Sequence, residues 1–124
     1  MNIISEIKSR TLRDRGKYTV IDAVAGNGLV AILAAHLLPI KRAIAVNKVN
    51  RIKSTNHLNV QRFTYMHADI MGDEFWENIN YPHIMCASFP DDIQTEIILT
   101  RSTADLTVVT PFGLSREDCF YVST

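Results

Sequence analysis

The sequence predicts a single α/β domain built on a doubly wound parallel sheet, and three observations carry that expectation. Helical and strand-like segments alternate through all 124 residues, with no internal repeat, low-complexity tract or linker. The strand-like segments are short continuous apolar runs, the pattern of strands buried on both faces. A glycine turn, Gly26-Asn27-Gly28, separates the first of those strands from the most apolar helix of the chain.

Taken in order, the spacing of Ile3, Ile4, Ile7 and Leu12 among charges predicts a leading amphipathic helix that ends before Gly16. The first strand runs from Tyr18 to Ala23. Leu29 to Leu38 is apolar all round, a helix between the sheet and its neighbours that Pro39 stops. Arg42 to Asn47 is a second buried strand, followed by a polar helix from about Val49 to Leu58. A third strand, Arg62 to His67, leads into Ala68-Asp69-Ile70, and Met71 to Tyr81 reads as a loop with one helical turn around Phe75 and Trp76. The fourth strand spans His83 to Ala87. Asp91 then caps a helix that reaches about Ser102 by bonding the amide near Gln94. Leu106 to Thr110 is the fifth strand, and Asp118 to Ser123 has the pattern of a short sixth after the Pro111-Phe112-Gly113 turn. Right-handed crossovers place the strands in the order 3-2-1-4-5, a Rossmann-like arrangement that stops short at its C-terminal edge. Its ligand crevice lies beyond the carboxyl end of the first strand, where the winding reverses.

Composition narrows the class further. The chain is 47% hydrophobic and 21% charged, enough apolar material for one core. Its first residues lack the apolar segment and small-residue cleavage site of a signal peptide, so a cytoplasmic location is expected. The longest apolar run is too short to cross a bilayer, which needs about 20 residues. Cys86 and Cys119 have neither the spacing of a disulfide framework nor a nearby ligand pattern, and the four histidines show no metal spacing. Zero net charge conceals a split: residues 1–67 carry eleven Lys and Arg against three acids, a net of +8, and residues 68–124 carry a net of −8. That split suits a polyanionic substrate such as RNA, a homo-oligomer or a heteromeric partner. Two independently solvated faces would produce it equally well.

The chemistry concentrates at the first strand and its turn. Gly26 and Gly28 let the backbone turn tightly and approach a ligand, and the following helix presents its N-terminal amides to an anionic group. Gly26 to Ala31 formally fits the dinucleotide pattern G-x-G-x-x-A. Asp22, four residues before Gly26, argues against a pyrophosphate, which it repels, and for an ammonium group, which it attracts. S-adenosylmethionine offers that ammonium, a carboxylate for the helix N-terminus and a positive sulfonium.

On these residues the sequence resembles the class I S-adenosylmethionine-dependent methyltransferases. Val20-Ile21-Asp22-Ala23-Val24-Ala25-Gly26-Asn27-Gly28 is similar to their first motif, apolar-apolar-Asp-x-x-x-Gly-x-Gly. The resemblance implies one domain over 1–124, with a leading helix in 1–15 and a cofactor-binding core in 18–113. It implies S-adenosylmethionine contacts from Asp22, Ala23, Ala25, Gly26 and Gly28. Asp69 and Ile70 follow the third strand, where the family often places an acid at the adenine. A turn carboxylate is the equally weighted reading of Asp69. At the ribose position the family carries Asp or Glu, whereas this chain has Asn47 with one neutral acceptor oxygen, followed by Lys48. Lys48 fits the 2′-phosphate of NADP, so an NADP-binding oxidoreductase-type domain is the first alternative. A catalytically degenerate, non-enzymatic partner subunit is the second, suited by the short chain. After the fourth strand, Ser88, Phe89 and Pro90 are the candidates for an acceptor pocket. No nucleophile, general base or metal ligand is assigned.

Overall fold

The computed structural model describes residues 3–26, 28–48, 62–88, 90–110 and 120–123. They form helix α1 (Ile3–Thr11), strand β1 (Thr19–Asp22), α2 (Leu29–Leu37), β2 (Arg42–Asn47), β3 (Phe63–His67), α3 (Asp73–Glu77), β4 (His83–Ser88), α4 (Asp92–Arg101), β5 (Leu106–Thr110) and β6 (Phe120–Ser123). The sheet order is β3-β2-β1-β4-β5-β6. The first five strands are parallel, and β6 pairs antiparallel with β5. The expected order 3-2-1-4-5 is thus present, and the expected sixth strand lies beside β5. The polar helix expected over 49–58 and the turn at 111–113 fall outside the described residues.

Alternation along each strand sends neighbouring side chains to opposite faces, and each face has its own core. Val20, Ala43, Ala45, Ile84, Cys86 and Val108 pack with Ile7 of α1 and Ala31, Ala34 and Ala35 of α2. On the other face Ile21, Ile44, Val46, Met85, Ala87 and Val109 pack with Phe75 of α3 and Ile98 of α4. Helices on both faces explain why β1 and β5 are buried at every position.

Small side chains decide how closely α2 sits. Its core-facing residues are alanines, which bring the helix near the sheet and leave Leu29, Leu33 and Leu37 on its outer side. Gly28 precedes it with φ 86°, and Leu38 follows it in an extended conformation, held by its N–H to Ala34 O at 3.0 Å.

The ends of the strands are then fixed by a few polar ties. The Arg62 guanidinium donates to Ile40 O (2.7 Å) and Ala35 O (2.6 Å), so the entry to β3 is tied to the last turn of α2 and the entry to β2. A cation there also meets the negative end of the helix. At the same edge Tyr18 donates to Asp105 at 2.6 Å, which raises the phenol pKa. Helix α3 is a turn and a half long. Trp76 Nε1 donates to Ile70 O (2.8 Å), and an ion pair of 2.5 Å joins Arg101 to Asp73. With the Asp73 side chain 75% exposed, that ion pair adds at most about 1 kcal/mol.

Candidate functional site

Beyond the carboxyl ends of β1, β2 and β3 lies a cavity of about 270 Å³. Ala23, Val24 and Gly26 line it from the glycine turn, Asn47 and Lys48 from the end of β2, Ala68, Asp69 and Ile70 from the loop after β3, and Gln94 from α4. Six of the residues singled out from the sequence therefore meet at one place: Ala23, Gly26, Asn47, Lys48, Asp69 and Ile70. The volume lies just below the roughly 300–1,000 Å³ of small-molecule sites, sized for part of a cofactor rather than all of it.

The other expected residues have different surroundings. Asp22 is 1% exposed and does not line the cavity. It ends β1 in register with Cys86 of β4, and one carboxylate oxygen accepts the Val24 N–H at 3.3 Å, which starts the turn. Burial pushes its pKa up to about 7, against a smaller opposing effect of that hydrogen bond. Burial also raises the Cys86 thiol, helped by the neighbouring Asp22, and leaves it unreactive. Ala25 N–H donates to Val46 O at 2.9 Å, joining the turn to β2. Gly28 is buried, and a Cβ added there would meet Ala45 Cβ and the Phe63 ring at 3.4 Å. At φ 86° an L side chain is also strained, so both space and backbone demand glycine. Ser88 closes β4 opposite Thr110 of β5. Its side chain and Phe89 lie outside what is described, whereas Pro90 is buried.

Two side chains shape the turn by converging on a single oxygen. The Tyr65 hydroxyl donates to Gly26 O at 2.6 Å, and Asn47 Nδ2 donates to the same atom at 3.0 Å. The expectation for Asn47 rested on its acceptor oxygen, but its amide nitrogen holds the turn. Tyr65 carried no sequence signal, because its partner is a backbone carbonyl 39 positions away. Asp69 combines both of its expected readings. Its Oδ1 accepts the Met71 N–H at 2.9 Å, as a turn carboxylate does, and it also lines the cavity.

A larger, more apolar groove of about 410 Å³ adjoins this cavity through Ala68 and Asp69 and runs between β1–β3 and the short α3. It has Ile21, Ile44 and Val46 as its floor and includes no glycine of the turn. The site chemistry belongs to the smaller cavity.

The charge split takes a definite direction in three dimensions. Exposed Arg13, Arg15, Lys17, Lys41, Arg42 and Arg62 stand at the N-terminal edge of the parallel strands, with Asp14 among them. Exposed Asp69, Asp91 and Asp92 stand at the C-terminal edge, around the cavity, with Lys48. Helix polarity contributes: α4 begins with acids at the cavity edge, and α1 ends with cations at the other.

This strand order, with a glycine turn after β1 and the crevice at the ends of β1 to β3, is a Rossmann-like α/β fold. Among solved structures the chain is similar to the 23S rRNA methyltransferase ErmE, with a TM-score of 0.62, 17% identity and 86% of this chain covered. The match spans 43% of the ErmE chain, so this protein corresponds to less than half of it. SMU.1697c from Streptococcus mutans, solved in complex with SAH, matches at a TM-score of 0.48 and 16% identity, over 88% of this chain and 74% of that one. No protein-family model and no curated protein matches the chain.

Two outcomes test this geometry. The unfolded chain ionises Asp22 near its ordinary value of 3.8, whereas the folded protein keeps the proton to about pH 7. The native state therefore binds the extra proton between about pH 4 and 7, and Asp22 makes stability fall as pH rises through that window. Urea unfolding of Asp22→Asn across this range should show a flatter pH dependence than the parent; an identical slope refutes the assignment. The second concerns Asn47. Asn47→Asp restores the family's acid but removes a donor from Gly26 O, so ligand affinity measured by calorimetry should fall about fivefold, one hydrogen bond's worth, rather than rise.

Proposed function

We propose that this protein binds S-adenosylmethionine at the glycine-turn cavity and serves methyl transfer. The observation that carries this reading is the convergence of three strand ends on one cavity with an acid buried beneath the turn. A carboxylate in low dielectric favours a nearby cation strongly, and a ligand ammonium or sulfonium would draw the Asp22 proton off. Gly26 and the amides that begin α2 suit the ligand carboxylate, Lys48 and Asn47 face the ribose, and Asp69 with Ile70 faces the base. The cofactor would supply an activated methyl group. The protein's part is then to hold an acceptor in line with it, a task of positioning that needs no general base.

The acceptor is the finer part of the proposal. ErmE is named for 23S rRNA. Here Arg13, Arg15, Lys17, Lys41 and Arg42 offer phosphate contacts at the edge opposite the cavity, a strand length or about 15–20 Å away. An RNA acceptor is on this reading anchored at the basic edge, with its reacting base carried round to the acidic one. Among the described residues strand β3 has a neighbour on one side only, an edge that a second copy or another subunit would cover.

Calorimetric titration with S-adenosylmethionine, S-adenosylhomocysteine and NADPH tests the cofactor. One-to-one binding of the first two is expected, and binding of NADPH alone, or of none, overturns the reading. For RNA, the paired change Arg15→Glu and Lys41→Glu should weaken binding of an unstructured oligonucleotide at least fivefold at low salt, read by fluorescence anisotropy. S-adenosylhomocysteine binding should stay as it was; an unaltered RNA affinity removes the acceptor part alone.

A further inference from the structure

Among the described residues β3 is the outer strand on its side of the sheet. The bonds at its two ends show which backbone groups that leaves over. Ala43 N–H donates to Arg62 O at 2.8 Å, and Ala68 N–H donates to Asn47 O at 3.0 Å. Successive residues of a strand direct their N–H and C=O to opposite sides, so Arg62, Thr64, Met66 and Ala68 face β2. Phe63, Tyr65 and His67 therefore point their N–H and C=O groups at the open edge.

Nothing along the strand discourages pairing there. Phe63-Thr64-Tyr65-Met66-His67 contains no proline, lysine or acid, the devices by which edge strands ordinarily avoid a second chain. Its side chains from Phe63 to Met66 are only partly buried, whereas β1 and β5 are buried throughout. Met66 also lines the apolar groove that has Ile44 and Val46 as its floor.

Charge chooses the direction of a partner strand. Along the edge it runs from Arg62 at the entry of β3 to Asp69 past the exit, both exposed. One strand further in, Lys41 and Arg42 stand at the entry of β2 and Lys48 past its end. A second copy laid alongside in the same direction sets three cations against three. Laid in the opposite direction, it brings Arg62 of each copy toward Asp69 of the other.

We propose that β3 is a self-association edge, across which two copies join antiparallel, about a two-fold axis at Tyr65, into one continuous sheet. The outward groups set the register. With Tyr65 opposite Tyr65, Phe63 and His67 of each copy face His67 and Phe63 of the other, and every outward group of the strand is bonded. A shift of two residues either way leaves Phe63 or His67 without a partner in the strand. Thr64 then lies opposite Met66 of the second copy as a closely spaced, non-hydrogen-bonded pair. This pairing needs no ligand and is independent of the cofactor reading.

Sedimentation equilibrium of the full chain, up to about 200 μM, should show monomer and dimer in exchange. His67→Pro blocks the edge without touching the β2 ladder, because the His67 N–H is an outward one, and should weaken dimerisation at least tenfold. The register is read by disulfide trapping in a Cys119→Ser background, where the remaining Cys86 is buried. Thr64→Cys mixed with Met66→Cys should link at least tenfold faster than either variant alone. Only the mixture sets two cysteines opposite each other, at a Cα separation of about 4.5 Å that a disulfide spans. Linkage is read on folded protein, so it decides the outcome even if the proline disturbs the strand. A parent that stays monomeric, a folded His67→Pro protein that dimerises as the parent does, or a mixture that links no faster than its components each overturns the proposal.

Discussion

The carbonyl oxygen of Gly26 accepts from Tyr65 at 2.6 Å and from Asn47 at 3.0 Å, so the turn after β1, the end of β2 and the middle of β3 meet at one atom. Each strand end alone is a chain terminus with freedom to splay. Tied together they form the floor and two walls of a cavity. The tie works only because Gly26 and Gly28 have positive φ, at 57° and 86°, turning the carbonyl outward and letting the ring of Tyr65 lie close to Gly28. Everything proposed for the site depends on that arrangement, because a displaced Gly26 moves both the turn and the side chain of Asn47.

Much of this fold was legible in the sequence because its signals are local. The apolar run from Leu29 and its stop at Pro39 define α2, and the buried runs at 42–47 and 106–110 define two strands with the bounds the structure gives them. The Asp91–Gln94 cap was visible as a pattern of residue types three apart. The glycine turn and the acid before it pointed to the crevice, and six of the expected residues line it. What was not legible is long-range. Arg62 reaches back 22 and 27 positions to carbonyls of Ile40 and Ala35, and Tyr65 reaches 39 positions to Gly26. No spacing rule encodes a side chain bonded to a distant backbone oxygen, since any residue can offer that acceptor.

Asn47 shows a subtler limit. Its position at the end of β2 was identified correctly, and its chemistry was read from the acceptor half of the amide. The donor half bonds Gly26 O at 3.0 Å, a fact of the fold rather than of the residue. Gln94 repeats the lesson from the other side. Its side-chain oxygen caps Asp91 N–H while the residue lines the cavity, so a local helix signal falls at the cavity wall. Amide side chains at such sites are legible as to place before they are legible as to polarity.

The placement of charge leads to a last consequence. A chain with equal numbers of acids and bases has no net attraction to a charged surface when its charges are mixed. Among the described residues, exposed cations gather at one edge of the strands, with Asp14 and Asp105 beside them, and Asp69, Asp91 and Asp92 stand at the other, about a strand length apart. Over those residues this is a charge asymmetry along the strand axis, on which an external field exerts a torque. Beside a polyanion it turns its basic edge inward and its cavity toward solvent, so its behaviour near charged surfaces follows from its orientation and not from its isoelectric point.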